Sequence, residues 1–212
     1  MKTKVFNLII LDESGSMHSI KKEAIDSVNE TVQTICAAEK KNEDQEHFIS
    51  LVTFNDDVKK VYDCVPSLKV EVLTSEIYCP NCSTALYDAM GISLNELRHK
   101  VADEDRVLVT IVTDGYENAS KEYNGSAIKA LVDELKGKGW VFAYIGANHN
   151  VEKVASTISI TNTMTFHTTS AGTQDMSKRL NKSRMNFFTR LSEQCFDSVA
   201  ENEHFFDDED NK

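Results

Sequence analysis

Five oxygen-bearing side chains, Asp12, Ser14, Ser16, Thr84 and Asp114, stand in three short segments far apart in the chain: LIILDESGSM, NCSTALYDAMG and VLVTIVTDGYENAS. Two of these segments place an Asp directly after an apolar run of strand character, and the third is a polar turn opening a helical stretch. Hard oxygen ligands are thereby delivered to the ends of elements that can lie side by side. A divalent cation of the magnesium class needs that arrangement: a few rigidly held carboxylate or hydroxyl oxygens, with the other positions left to water or a partner. Taken alone, D-x-S-G-S also reads as a helix N-cap turn in which Ser14, Ser16 or Ser19 caps the helix that follows. Gly15 and Gly115 are expected to let the two loops turn sharply.

The segments must be positioned by a regular framework, and strand-like and helix-like stretches alternate along the chain. Val5 to Leu11 predicts a buried strand, followed by a helix from Met17 to about Lys40 with Ile20, Ala24, Val28, Val32 and Ile35 on one face. His47 to Phe54 and Val58 to Val65 are joined by Asn55, Asp56 and Asp57, which predicts an antiparallel hairpin whose second strand is a half-exposed edge. Leu68 to Tyr78 is ambiguous. A helix over Ala85 to Lys100, an aliphatic strand over Arg106 to Thr113, a helix over Ser126 to Lys136 and a strand over Val141 to Ile145 follow. The unbroken aliphatic character of RVLVTIVT is that of a strand at the sheet centre, covered on both faces. Short elements at Val151 to Thr157 (helix) and Met164 to His167 (strand) precede one long helix from about Thr173 to Val199. Residues 201–212 read as an acidic, solvated and disordered tail. The pattern predicts one α/β domain over residues 1–200: a doubly wound open sheet, mostly parallel with one antiparallel edge strand, and helices on both faces. Ligands of such sheets sit outside the carboxyl ends of the strands, where Asp12 and Asp114 fall.

At these residues the chain resembles a von Willebrand factor type A domain, a Rossmann-like fold, from its first strand to its last helix. The mark of that family is the metal-ion-dependent adhesion site, D-x-S-x-S with a distant Thr and a distant Asp, and all five positions match. The resemblance implies Ser14 and Ser16 as direct hydroxyl ligands of Mg²⁺ (or Mn²⁺). It implies Thr84 as a ligand that joins directly or through water, and Asp12 and Asp114 as carboxylates acting largely through coordinated water. It further implies a protein partner that offers an Asp or Glu carboxylate to the open coordination position. Two carboxylates leave such an ion roughly neutral and three hydroxyls hold it without quenching it, so it can accept one more acid. The chain departs from many relatives ahead of the threonine, where Asn81, Cys82 and Ser83 replace glycines.

Other motifs are weaker. Cys79 and Cys82 form a C-x-x-C beside Thr84, but no second C-x-x-C or close His pair completes a zinc site, so both read as loop residues, with a disulfide or metal role as the alternative. Tyr116, Glu117 and Asn118 are expected on the rim of the site; His149 reads as a loop residue on the same carboxyl-end face, with lining of the partner surface as the alternative, and His18 as a solvated residue of the first helical turn, with donation to a ligand or partner as the alternative. A metal-dependent phosphohydrolase of similar architecture is the rival function, yet Ser14 stands where the dehalogenase-type phosphatases carry a second Asp. No phosphate-binding G-x-x-x-x-G-K-[ST] or dinucleotide-binding G-x-G-x-x-G occurs. A degenerate, metal-free interaction domain is the third possibility.

Composition sets the outer limits. A net charge of −11 argues against nucleic acid as a partner, and hydrophobic and charged fractions of 41% and 27% are those of a globular protein. No apolar stretch reaches the length of a membrane span, and the first apolar run, broken by Asn7 and ended by Asp12, reads as a strand rather than a signal peptide. Five unevenly spaced cysteines point to a reducing compartment, the cytoplasm. An adaptor acting through one metal-assisted contact, with no catalysis, is the function expected.

Overall fold

The computed structural model of the chain describes residues 2–193 and 196–206. Its sheet has six strands: β1 (Thr3–Asp12), β2 (Gln45–Phe54), β3 (Val58–Pro66), β4 (Arg106–Thr113), β5 (Val141–Gly146) and β6 (Thr163–Thr165). They run in the order β3-β2-β1-β4-β5-β6, all neighbours parallel except β2 and β3. The α/β open sheet with one antiparallel edge is therefore as the sequence predicts, and β4 lies at its centre beside β1. β3 is also the half-exposed edge expected of it.

Six α-helices accompany the sheet among the described residues: α1 (Lys21–Lys41), α2 (Leu86–Arg98), α3 (Gly125–Gly137), α4 (Val151–Thr157), α5 (Ser170–Ser192) and α6 (Ser198–His204). Strand alternation divides the core in two. On β1, Val5, Ile9 and Leu11 point to the face covered by α1 and α5, whereas Phe6, Leu8 and Ile10 point to the face covered by α2, α3 and α4. Both faces of the central strands are buried, so a period-two polar alternation is absent there, as parallel strands require.

The ambiguous stretch after β3 forms a short 3-10 turn (Ser67–Lys69) and then an irregular excursion up to α2. It is anchored rather than loose. Leu73 and Tyr78 are buried, and the Asn29 side chain bonds both the amide and the carbonyl of Leu73 at 2.9 and 3.1 Å.

Two expectations about the C-terminus are corrected. The single helix from Thr173 to Val199 is two, because the backbone turns extended at Glu193 and Asp197 starts a new helix by accepting from the Val199 amide at 2.9 Å. The tail read as solvated from residue 201 is packed as far as residue 206: Glu201, Asn202, Phe205 and Phe206 are buried. Phe205 and Phe206 give this segment the apolar anchor that its acidic composition hides. Residues 207–212 lie outside the described residues.

Candidate functional site

The carboxyl ends of β1 and β4 are adjacent, since Leu11 is paired with Val112. The residues that follow these strands, Asp12 to Ser16 and Asp114 to Gly115, therefore share one edge of the sheet. Asp12 is the last residue of β1 and is fully buried. Its Oδ1 accepts from the Ser14 amide at 2.7 Å and its Oδ2 from Thr113 Oγ1 at 2.6 Å. Both oxygens are thus fixed, and each retains a lone pair directed elsewhere.

After Asp12 the chain enters a 3-10 turn (Gly15–Ile20). Neither Ser14 nor Ser16 uses its hydroxyl to cap it. Instead the two hydroxyls lie 3.1 Å apart, and Ser16 Oγ donates in a short hydrogen bond to Asp114 Oδ1. The helix-cap alternative for these serines accordingly fails on geometry. Gly15 has no left-handed backbone angle; its contribution is close approach, with its amide donating to Cys82 O at 3.1 Å and an added Cβ standing 3.4 Å from that same oxygen.

Thr84 reaches the cluster from the third segment. It is buried, and its Oγ1 would lie 3.7 Å from a Cβ placed on Gly115. Its backbone is clamped by Asn118, which accepts from the Thr84 amide through Oδ1 (2.9 Å) and donates its own amide to Thr84 O (3.0 Å). The structure thus brings all five sequence-selected residues to one edge.

The electrostatics are those of a site short of positive charge. Burial pushes the carboxyl of Asp12 above the ordinary carboxylate range, with the charge of Asp114 adding to it against the hydrogen bonds from Thr113 and Ser14. Burial likewise raises Asp114, opposed by the Ser16 hydrogen bond and by His149. Asp114 Oδ2 is buried and has no hydrogen-bond partner. A buried carboxylate oxygen left without a donor is costly, and a proton, a cation or water can answer it. Two carboxylates and three hydroxyls suit a hard, oxygen-seeking ion. Among the described residues no group of three or more His, Cys, Asp and Glu stands together to hold a metal. Cys79 and Cys82 are exposed free thiols.

His149 lies on this face, as expected. Its Nδ1 donates to Ala147 O at 2.6 Å and its Nε2 meets Tyr144 Oη at 3.3 Å; burial lowers its pKa, opposed by the Ala147 carbonyl and by Asp114. Tyr116 packs against it with ring centres 5.2 Å apart and remains half exposed on the rim. Glu117 does not face the rim: its carboxylate accepts from the amides of Tyr87, Ala119 and Ser120.

Supporting residues escape the sequence reading. Thr113 fixes Asp12, and its signal is a hydroxyl closing an otherwise aliphatic run. Tyr78 donates to Asp12 O at 2.6 Å from 66 positions away, and Glu13 accepts from the Cys79 amide, tying the cysteine loop to the first loop. Asp88 accepts from the amides of Lys121, Glu122 and Tyr123 at 2.7, 2.9 and 2.8 Å and so fixes the loop after Asp114. No spacing rule links these pairs.

A parallel open sheet with acids and hydroxyls converging where its central strands end defines an α/β fold of the Rossmann-like type, with a loop-built site at the carboxyl edge. The chain belongs to the von Willebrand factor type A domain family, which matches residues 8–179. Among curated proteins, no sequence matches. Solved structures share the fold at low identity. A von Willebrand factor type A protein from Catenulispora acidiphila is 13% identical, with a TM-score of 0.59 over 86% of this chain and 43% of its own. The PilB minor pilin from Streptococcus sanguinis is 13% identical, with a TM-score of 0.62 over 91% of this chain and 64% of its own. The von Willebrand factor domain of the type V pili tip protein Mfa5 from Porphyromonas gingivalis is 12% identical, with a TM-score of 0.57 over 86% of this chain and 96% of its own. This chain spans less than two thirds of the first two proteins. No helix among the described residues is long and apolar enough to cross a membrane.

Proposed function

We propose that the domain binds one divalent cation, Mg²⁺ or Mn²⁺, at Asp12, Ser14, Ser16, Thr84 and Asp114, and uses it to dock an acidic side chain of a protein partner. The observation that carries this reading is Asp114 Oδ2, buried without a donor beside the hydroxyls of Ser14 and Ser16. Ser14, Ser16 and Thr84 would supply neutral oxygens. Asp12, whose oxygens are already held by Thr113 and the Ser14 amide, would act through water on the ion. When bound, the ion supplies a Lewis-acidic position for an incoming carboxylate. The chain's own part is to hold two buried carboxylates unneutralised and to keep the rim, with Tyr116 exposed, open to a protein surface.

Membership of a family of interaction modules supports docking over catalysis, and the cysteine pattern supports a reducing compartment such as the cytoplasm. The test is affinity capture of partners in Mg²⁺, with elution by EDTA, by wild type and Ser14→Ala. A partner held by wild type, released by chelation and not retained by the variant supports the proposal. Partners that ignore both EDTA and the substitution end it in favour of a metal-free interaction domain. Metal-dependent hydrolysis of phosphate monoesters that is lost in Asp114→Ala would establish the phosphohydrolase instead.

A further inference from the structure

Arg184 on α5 is the largest fully buried side chain among the described residues, 1% exposed, and it lies against the middle of the sheet. Its Nη2 donates to Thr110 Oγ1 at 2.8 Å and its Nη1 to Thr31 Oγ1 at 3.1 Å and Asn181 Oδ1 at 3.4 Å. All three acceptors are neutral. Nε has no partner, and among the described residues no carboxylate forms an ion pair with this guanidinium. Arg190, two turns further along the same helix, shows the usual solution: both ends of its guanidinium fork grip the Glu201 carboxylate. A buried charge without a counter-charge is among the costliest arrangements a core can hold. Burial lowers the Arg184 pKa to about 9, so at neutral pH the group remains a cation.

Beside this cation lies a cavity of about 20 Å³, lined by Arg184, Thr31, Thr110, Met17, Phe166 and Leu180 among others. That space holds about one water-sized particle. Water would give Nε a hydrogen bond and leave the charge unbalanced. We propose that the cavity is a site for one small monovalent anion of the halide class, chloride in ordinary buffers, held against Arg184 between α1, α5 and the sheet. The largely apolar walls favour a weakly hydrated, polarisable ion, and Thr110, whose oxygen accepts from Arg184, keeps its own proton free to donate. Met17 and Ile20, which line the same cavity, belong to the turn that carries Ser16, so the anion would also brace the wall beneath the candidate metal site. The anion site itself does not depend on a metal being bound.

The experiment uses the whole protein exchanged into sodium gluconate and followed by thermal unfolding as chloride or bromide replaces gluconate at constant ionic strength. The midpoint is expected to rise by roughly 3–5 °C for each tenfold increase of halide above the dissociation constant. Arg184→Met should abolish the response and Thr110→Val should shift it to higher halide. Crystals grown in bromide should give an anomalous peak within hydrogen-bond distance of Arg184 Nε. If Arg184→Met does not fold, the Thr110→Val shift and the bromide map carry the test. A bromide map with no peak in the cavity, or a halide response unchanged in the variants, overturns the proposal.

Discussion

The two ends of this sheet bury different polar groups: neutral amides at one, acids at the other. At the amino end, three amide side chains pair both their oxygen and their nitrogen, although Asn42 Nδ2 is buried without a partner. Asn202 takes the Phe142 amide (3.1 Å) and gives to Trp140 O (2.8 Å) and Ser198 O (2.9 Å); Asn162 takes the Phe205 amide (3.0 Å) and gives to Phe142 O (3.1 Å) and Glu201 O (2.8 Å). Gln45 donates to Phe188 O and Ser192 Oγ, both at 2.7 Å, while its carbonyl oxygen meets His47 Nε2 at 2.9 Å. At the carboxyl end, two acids are buried with raised pKa values and one oxygen has no partner. The amide network of the amino end holds the fold; the carboxyl end keeps an unmet demand on an ionisable group, the mark of a place where something binds.

That contrast is breakable. The largest effect is expected from Asn202→Ala, which strands the Phe142 amide and the Trp140 carbonyl and should cost about 2–4 kcal/mol by denaturant unfolding. Its Mg²⁺ affinity should stay that of wild type; a loss of metal binding would mean that the two ends are coupled. A comparable effect is expected from acid at His47, whose burial lowers its pKa to about 4. Between about pH 6.5 and 4 the unfolded chain takes a proton that the folded chain refuses. Stability is therefore complete above this window and falls as pH drops through it, by up to about 3 kcal/mol, and His47→Gln should flatten the decline. Asp12 and Asp114 act with the opposite sign: their raised folded pKa values make the metal-free site more favourable as pH falls.

Smaller effects sharpen the other side. Thr113→Val removes one of the bonds that hold Asp12 and should weaken Mg²⁺ binding by roughly tenfold, read by calorimetry, with little change in fold. Asp114→Asn should abolish metal binding yet raise the unfolding midpoint of the metal-free protein, because it removes a buried charge. A midpoint lower than that of wild type in EDTA would show that Asp114 is structural.

Much of this was legible in the sequence because periodicity and strand-end chemistry are local. RVLVTIVT is a buried strand by its aliphatic character, and an Asp after such a run lies at the sheet's carboxyl edge. What was not legible depends on distant partners. Tyr78 reaches Asp12 from an irregular segment, Asp88 collects three amides from a loop more than thirty positions on, and the aromatic pair Phe205 and Phe206 folds back an acidic segment that composition marks as solvated. The break before α6 is, like the hydroxyl of Thr113, a local signal overlooked, since Asp197 followed by Ser198 has the chemistry of a helix start.

The most direct measurement of the central claim is calorimetric titration of Mg²⁺ and Mn²⁺ into wild type, Asp12→Ala and Ser14→Ala, each shown to be folded. One metal ion per chain binding to wild type, with no heat of binding in either variant, is the predicted result. Equal binding by all three proteins, or no binding to wild type, would contradict it.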